Sequence, residues 1–253
     1  MRFLIPSYRR SEKCRTAGYL HSLGYSREQI HIATQTEDDF RAYEAAYGSV
    51  AVVHYREAQN CAGNRNTLVG LLEDGEECLL MDDDVRSVYR YEPVDGQRYG
   101  KLVSLDREGF DALLAQCSDL LASGVSLVCI FDNANTMNVH RNWEKGAHVD
   151  YSRLAVGSFM YTRKESWLRF DETLPCNDDT ELSLRLIFEG RKTARLNLYA
   201  ANKPQDTKEG GGCFEVYQSG RKVEVLKELE RRYYPLAAHK KDWTGMRLKA
   251  GLR

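Results

Sequence analysis

What the chain lacks narrows its class first. No stretch approaches the roughly 18 apolar residues of a membrane span, and Met1-Arg2-Phe3-Leu4-Ile5-Pro6 is too short an apolar run for a signal peptide. The expected location is therefore the cytoplasm. Internal repeats and low-complexity segments are also missing, which excludes solenoids and fibrous arrays. A formal net charge of −1 excludes a uniformly basic nucleic-acid coat. The seven cysteines (Cys14, Cys61, Cys78, Cys117, Cys129, Cys176 and Cys213) contain no CxxC pair. Their odd number and irregular spacing disfavour a disulfide framework or a zinc knuckle, and several sit in apolar runs as small buried hydrophobes.

What remains is an ordinary globular composition, 42% hydrophobic and 29% charged over 253 residues. A chain of that size buries about three quarters of its unfolded surface, so its core needs no staple. Strand-like and helix-like segments alternate, predicting βαβ units and a largely parallel sheet in a single α/β domain. Strands are expected at 2–5, 29–34, 50–55, 77–81, 126–131, 154–162 and 191–200. Helices are expected at 11–23 (capped by Ser11 and stopped by Gly24), 38–47, 64–72, 106–123, 180–189 and 223–233. The polar, glycine-rich stretch 203–212 reads as a mobile loop.

The most informative stretch is Leu79-Leu80-Met81-Asp82-Asp83-Asp84-Val85, three carboxylates directly after an apolar strand. Such charges cannot all be buried unpaired, and ligands of open α/β sheets bind beyond the carboxyl ends of strands. Mg²⁺ and Mn²⁺ take carboxylate oxygens and leave places for substrate phosphates. A metal held by Asp84, with Asp82 touching metal or ribose, fits; a solvated acidic turn fits the triplet alone as well.

Four segments in order decide for the first reading, because together they resemble the GT-A glycosyltransferases over residues 1–201. Phe3-Leu4-Ile5-Pro6-Ser7-Tyr8-Arg9-Arg10 looks like the family's first strand and nucleotide-contacting turn. Gly63-Asn64-Arg65-Asn66 is similar to its "G…RN" segment, and Asp82-Asp83-Asp84 to its DxD motif. Asn177-Asp178-Asp179-Thr180-Glu181-Leu182-Ser183-Leu184-Arg185 is similar to the "ED-x-[DE]-LS-x-R" segment before the acceptor-side helix. The resemblance implies a GT-A, Rossmann-like mixed sheet flanked by helices, with a core over 1–201. Within it, about 1–90 would hold the sugar nucleotide and about 91–201 the acceptor, while 202–253 would complete the site.

It further implies a sugar-nucleotide site from Pro6, Ser7, Tyr8, Arg9, Thr34, Glu37, Arg65, Asn66, Asp82 and Asp83. A divalent cation, Mn²⁺ or Mg²⁺, would sit on Asp84 and Asp82, with His239 as a late ligand; an exposed histidine in a basic tail fits His239 equally. Asp179, with Asp178 as the alternate, would be the base of an inverting transfer; helix capping is the plainer use of both. UDP is the expected nucleotide.

Within that fold family, the PSYRR opening, the MDDDV triplet and the late histidine look most like the TET-associated glycosyltransferases of phages. These act on hydroxymethylated pyrimidines in DNA, which implies a DNA acceptor and a host-cytoplasmic location. Two segments carry net +4 each: residues 1–15, and residues 239–253 around Trp243. Such strips suit a polyanion, closure over the donor's diphosphate hinged at Gly210-Gly211-Gly212, or plain solvation. A glycan or small-molecule acceptor, and a catalytically silent binding module, are the alternatives. A nucleotidyltransferase is disfavoured because Pro6-Ser7-Tyr8 stands where that class has a glycine-rich phosphate loop. The amide-rich run from Asn133 to Asn138 suits sugar hydroxyls, a base edge or a self-bonded loop. His140 and His148 have no recognisable partner pattern.

Overall fold

The computed structural model describes residues 1–58, 60–203, 216, 218–240 and 245–249. The first half of the chain runs β1 (Arg2–Pro6), α1 (Arg15–Ser22), a 3-10 turn (Arg27–Gln29), β2 (Ile30–Thr34), α2 (Glu37–Tyr47), β3 (Val52–Tyr55), α3 (Cys61–Val69) and β4 (Glu77–Met81). Next come β5 (Ser87–Glu92), β6 (Lys101–Ser104), α4 (Arg107–Ala122), β7 (Val125–Phe131), α5 (Thr136–Glu144), β8 (Val149–Asp150), β9 (Phe159–Arg163), α6 (Asp178–Phe188) and β10 (Lys192–Asn202). The helix α7 (Arg221–Arg232) and the strands β11 (Ala237–His239) and β12 (Met246–Leu248) follow.

Ten strands form one sheet in the order β3-β2-β1-β4-β9-β7-β10-β5-β6, with β8 added on β10. β2 and β4 flank β1 in parallel, so the chain order reverses at β1. β9 runs antiparallel between β4 and β7, and β5 runs antiparallel between β10 and β6. The sheet is mixed, with β5, β8 and β9 opposed to the other strands. β11 and β12 form a separate hairpin sheet.

Alternation along the strands sorts side chains to two faces. Phe3, Ile5, Ile30, Ile32, Leu79 and Met81 join Ala17, Leu20, Tyr43 and Phe110 on the α1, α2 and α4 side. Leu4, Ala33, Cys78 and Leu80 join Leu68, Val69, Leu182 and Leu186 on the α3 and α6 side. Helix α4 shows how this forms: Asp106 caps its start by accepting from Gly109 N at 2.8 Å, and Phe110, Leu113, Leu114, Cys117 and Leu121 are buried along one stripe. Each such side chain contributes about 1.5–3 kcal/mol on burial. The C-terminal helix docks on α6 through Leu184, Val225, Leu226, Leu229 and Tyr233.

Differences from the sequence-based expectation have local causes. Helix α1 begins at Arg15, with Cys14 before it and no side-chain cap, so Ser11 is not its cap. The amides of Arg15 and Thr16 donate to the Asp83 carbonyl at 2.7 and 3.2 Å, a tertiary start signal. Helix α3 begins at Cys61 under the Asn60 cap. The segment 154–162 is extended only from Phe159, and 133–138 leads into helix α5. Of the expected loop 203–212, the glycines 210–212 lie outside the described residues, as do Cys213 and Trp243. Cys14, Cys78, Cys117, Cys129 and Cys176 are buried and unbridged, and Cys61 is half-buried. No helix among the described residues is long and apolar enough to cross a membrane.

Candidate active site

Strands β1, β4, β7 and β10 run the same way and end at one edge of the sheet, where β9 begins. The acidic turn leaves β4 there, and three backbone contacts fix it. Asp82 N donates to the Ser158 carbonyl at 3.2 Å. Thr16 Oγ1 donates to the Asp82 carbonyl and accepts from Val85 N. The turn is therefore clasped to the first turn of α1.

Its three carboxylates differ. Asp83 points inward, accepting from Ser7 Oγ and from Arg10 Nη1, the latter at 3.0 Å; burial raises its carboxyl despite Arg10. Asp82 faces Arg65 Nη2 at 3.3 Å and Lys203 Nζ at 3.4 Å. Burial alone would raise it, but Lys203 and Arg65 outweigh burial and hold it below its ordinary value. Among the described residues Asp84 pairs only with Arg10, at 3.6 Å, and its buried Oδ1 has no hydrogen-bond partner there. Burial, with Asp82 and Asp83 adding repulsion, pushes its carboxyl up to about 6.

A second acidic group closes on the first from α6. Arg65 Nη1 binds Asp178 Oδ2 at 2.7 Å, with both side chains nearly fully buried. The same guanidinium reaches Asp82, so Arg65 links the acidic turn to the α6 N-terminus. Asp179, next along, accepts from Gly157 N at 3.0 Å through Oδ2 and from Thr180 N at 2.7 Å through Oδ1. Burial raises its carboxyl; Arg65 opposes this, and Asp178 and Asp82 reinforce it. Asn177 enters the helix with φ +60° and no side-chain cap, which leaves Asp178 and Asp179 in the first turn, where the helix dipole favours negative charge.

Gly157 and Ser158 hold a third point. Ser158 N and Oγ donate to Asp132 Oδ1 at 2.7 and 2.6 Å, and Lys203 Nζ lies 2.8 Å from Asp132 Oδ2. Asp82, Asp83, Asp84, Asp132, Asp178 and Asp179 thus meet three cations, Arg10, Arg65 and Lys203.

The residues expected from sequence separate into groups. Ser7, Arg65, Asp82, Asp83, Asp84, Asp178 and Asp179 come together. Asp178 is consumed by Arg65, which leaves Asp179 as the more available carboxylate. Tyr8 and Arg9 follow Pro6 at the end of β1, the Arg9 guanidinium 4.8 Å over the Tyr8 ring. Thr34 is fully buried and gives its hydroxyl to the His54 carbonyl, and Glu37 is exposed and paired with Arg41. Asn66 is tied to Phe170 and Glu172. His239 lies on β11 with Nδ1 against Glu230 Oε2. Sequence reasoning quoted Arg10 within the opening segment and Asp132 as the start of a segment bearing on the sugar, without giving either a role, and did not single out Thr16, Gly157 or Lys203. Only Asp132 had a local signal, a carboxylate at the end of an apolar strand.

The donor set fits a hard divalent cation. Asp84, whose Oδ1 has no partner among the described residues, and Asp82 are the kind of carboxylates, one or two, that Mg²⁺ or Mn²⁺ takes when phosphates complete its shell. Among the described residues no three His, Cys, Asp or Glu side chains form a closed ligand set.

Comparisons with known proteins agree with this architecture. GalNAc-T7 with UDP, GalNAc and Mn²⁺ aligns at 10% identity and TM-score 0.53, over 92% of this chain and 50% of that one. Staphylococcus aureus TarS with UDP aligns at 16% identity and TM-score 0.46, over 92% and 72%. CMP:2-keto-3-deoxy-manno-octonic acid synthetase with CTP aligns at 10% identity and TM-score 0.48, over 89% and 98%. The first carries the fold assignment, GT-A; the other two are too distant to add to it. Curated protein sequences give no match. The profile of the TET-associated glycosyltransferases matches residues 1–212, and with most of its length so covered the chain belongs to that family and is a glycosyltransferase of the nucleotide-diphospho-sugar transferase kind.

Proposed function

We propose that this enzyme transfers a sugar from a UDP-sugar to the hydroxyl of a hydroxymethylated pyrimidine in DNA, with inversion and with Asp179 as the base. The observation that carries the reading is the meeting of two acidic groups at one sheet edge. One group is Asp82 and Asp84 beyond β4, and the other is Asp179, joined to it through Arg65 and the Gly157–Ser158 backbone.

In this reading Asp82 and Asp84 hold Mn²⁺ or Mg²⁺ with the donor's diphosphate. Bound there, the cation supplies Lewis-acid neutralisation of the leaving group. His239 would join as a further ligand, and its Nδ1 contact with Glu230 is the kind of carboxylate support that metal-bound imidazoles have. Asp179 takes the proton of the acceptor hydroxyl, whose own pKa is far above neutrality. The oxygen attacks the anomeric carbon from the face opposite the diphosphate. The bond from that carbon to the phosphate oxygen breaks, and its electron pair leaves with UDP. The raised Asp179 carboxyl makes it a better proton acceptor than an ordinary aspartate. Asp178, paired with Arg65, holds that helix start in place. The family and the basic residues of the first segment support a DNA acceptor; its base would have to be unstacked, at a few kcal/mol.

The test combines Mn²⁺, a panel of UDP-sugars and duplex DNA carrying 5-hydroxymethylcytosine, followed by digestion and mass measurement of the nucleosides. A sugar-sized mass gain, lost in Asp84→Ala and in Asp179→Asn, is expected, with Asp179→Asn still binding UDP-sugar. Near-native turnover by Asp179→Asn would remove it as the base. Metal-dependent UDP-sugar hydrolysis without DNA modification would move the acceptor to a glycan or small molecule.

A further inference from the structure

Asp132, bridged to Asp82 by Lys203, also lines a cavity of about 230 Å³. Ile130, Phe131, Leu154 and Val156 give it apolar walls, and Asp132, Asn133, Asn138 and Arg195 give it polar ones. The Arg195 guanidinium stacks 4.1 Å over the Phe131 ring, a cation–π contact that covers one face of the aromatic. Asn133 and Asn138 are exposed, and their side-chain amides have no hydrogen-bond partner among the described residues. Each amide offers both a donor and an acceptor.

We infer that this cavity receives the acceptor as a single unstacked pyrimidine ring, stacked on the apolar walls and read at its edge by Asn133 and Asn138. The inference rests on the transfer reading above and names where its acceptor sits. Volume and lining suit a single flat ring. The volume falls below the roughly 300–1,000 Å³ of sites for drug-sized ligands, which suits one ring and not an oligosaccharide. Ile130, Phe131, Leu154 and Val156 offer apolar surface to the ring faces, and Asp132, Asn133, Asn138 and Arg195 offer polar partners to its edge. A pyrimidine has two apolar faces and a polar edge, matching apolar walls with amides at the rim.

Position makes the link to chemistry. Val156 lines the cavity, and the next residue, Gly157, donates its backbone N–H to Asp179 Oδ2. Ser158 follows and holds Asp132, the carboxylate shared by the cavity and the Lys203 bridge to Asp82. A substituent at the 5-position of the seated ring is therefore delivered along residues 156–158 to Asp179.

The test measures direct binding of 5-hydroxymethyl-2′-deoxycytidine monophosphate, without donor, by wild type, Asn138→Ala and Leu154→Trp, with methyl glucoside as the competing probe. Asn138 contributes no side-chain bond to the fold, and alanine suits a helix, so that variant folds even if the cavity-filling tryptophan does not. Expected are a loss of nucleotide affinity of about fivefold or more in both variants and no competition by the glucoside. In steady-state assays the acceptor KM rises by a like factor in both variants, with the UDP Kd within twofold of wild type. Equal nucleotide binding by all three proteins would overturn the assignment. So would glucoside binding that is lost in Leu154→Trp, because the cavity would then hold a sugar. Failure of wild type to bind UDP defeats the donor reading alone, since nucleotide binding is read without donor.

Discussion

Replacing Arg65 with methionine tests the joint between the two acidic groups. Its guanidinium reaches Asp178 at 2.7 Å and Asp82 at 3.3 Å, and the side chains of Arg65 and Asp178 are 6% and 5% exposed. Burial by itself would weaken Arg65 as a cation, yet Asp178 and Asp82 keep it firmly charged. Methionine fills much of the same volume over Phe170 but leaves the Asp178 carboxylate buried without its partner. Breaking a buried pair in this way costs about 3–5 kcal/mol. At about 2–4 °C per kcal/mol for a chain of this size, Tm should fall by roughly 6–20 °C. The double variant Arg65→Met/Asp178→Asn removes both charges and should regain at least about 2 kcal/mol of the loss, because removing a whole buried pair is often close to neutral. Urea unfolding of wild type, both single variants and the double variant gives the coupling directly. A cost under about 1 kcal/mol for Arg65→Met, or a double variant no more stable than it, would refute the joint.

Two further predictions concern other elements. Gly157 has φ +106°, and a Cβ there would lie 2.8 Å from Asp132 Cγ. Gly157→Ala should cost about 1–3 kcal/mol in unfolding free energy and lower sugar transfer by displacing Asp132; native stability and activity would contradict that. His31 is buried, with His54 Nε2 3.0 Å from its Nδ1. Burial, then His54 and Arg2, lowers its pKa to about 4. The native state keeps it neutral while the unfolded chain takes up a proton below about 6.5, so its contribution is complete above that pH and is lost as pH falls toward 4. Between pH 7 and 5 this should remove up to about 2 kcal/mol, and urea midpoints for His31→Phe should fall less over that range.

The parts of the fold legible in sequence were those with strong local signals. β1 and β4 are continuous apolar runs, and α4 carries its buried stripe with a capping Asp106. α5 was missed because Val139 and His140 are its only buried residues, too few for a periodic stripe. β5 and β6 were missed for a related reason: Val88 and Tyr91 do not alternate, and β6 lies at the sheet edge. In the site, carboxylates were legible because three together after a strand are hard to explain otherwise. Their cations were not. Arg10 and Lys203 are two among 36 basic residues, and only the fold brings Lys203 back across 121 positions to Asp82.

The place of β10 between β7 and β5 has a consequence for how the protein is made. β1 to β4 pair within the first 81 residues apart from the β9 side of β4, so the donor half of the sheet can form early in synthesis. Among the described strands β5 has only β6 and β10 as neighbours. At about 5–20 residues per second, the hairpin of β5 and β6 waits for roughly a further hundred residues before β10 arrives. Until then it presents an open strand edge, the surface on which chains add to one another. A product truncated before β10 is complete carries that edge permanently, and association of such fragments would be the signature of this order of assembly.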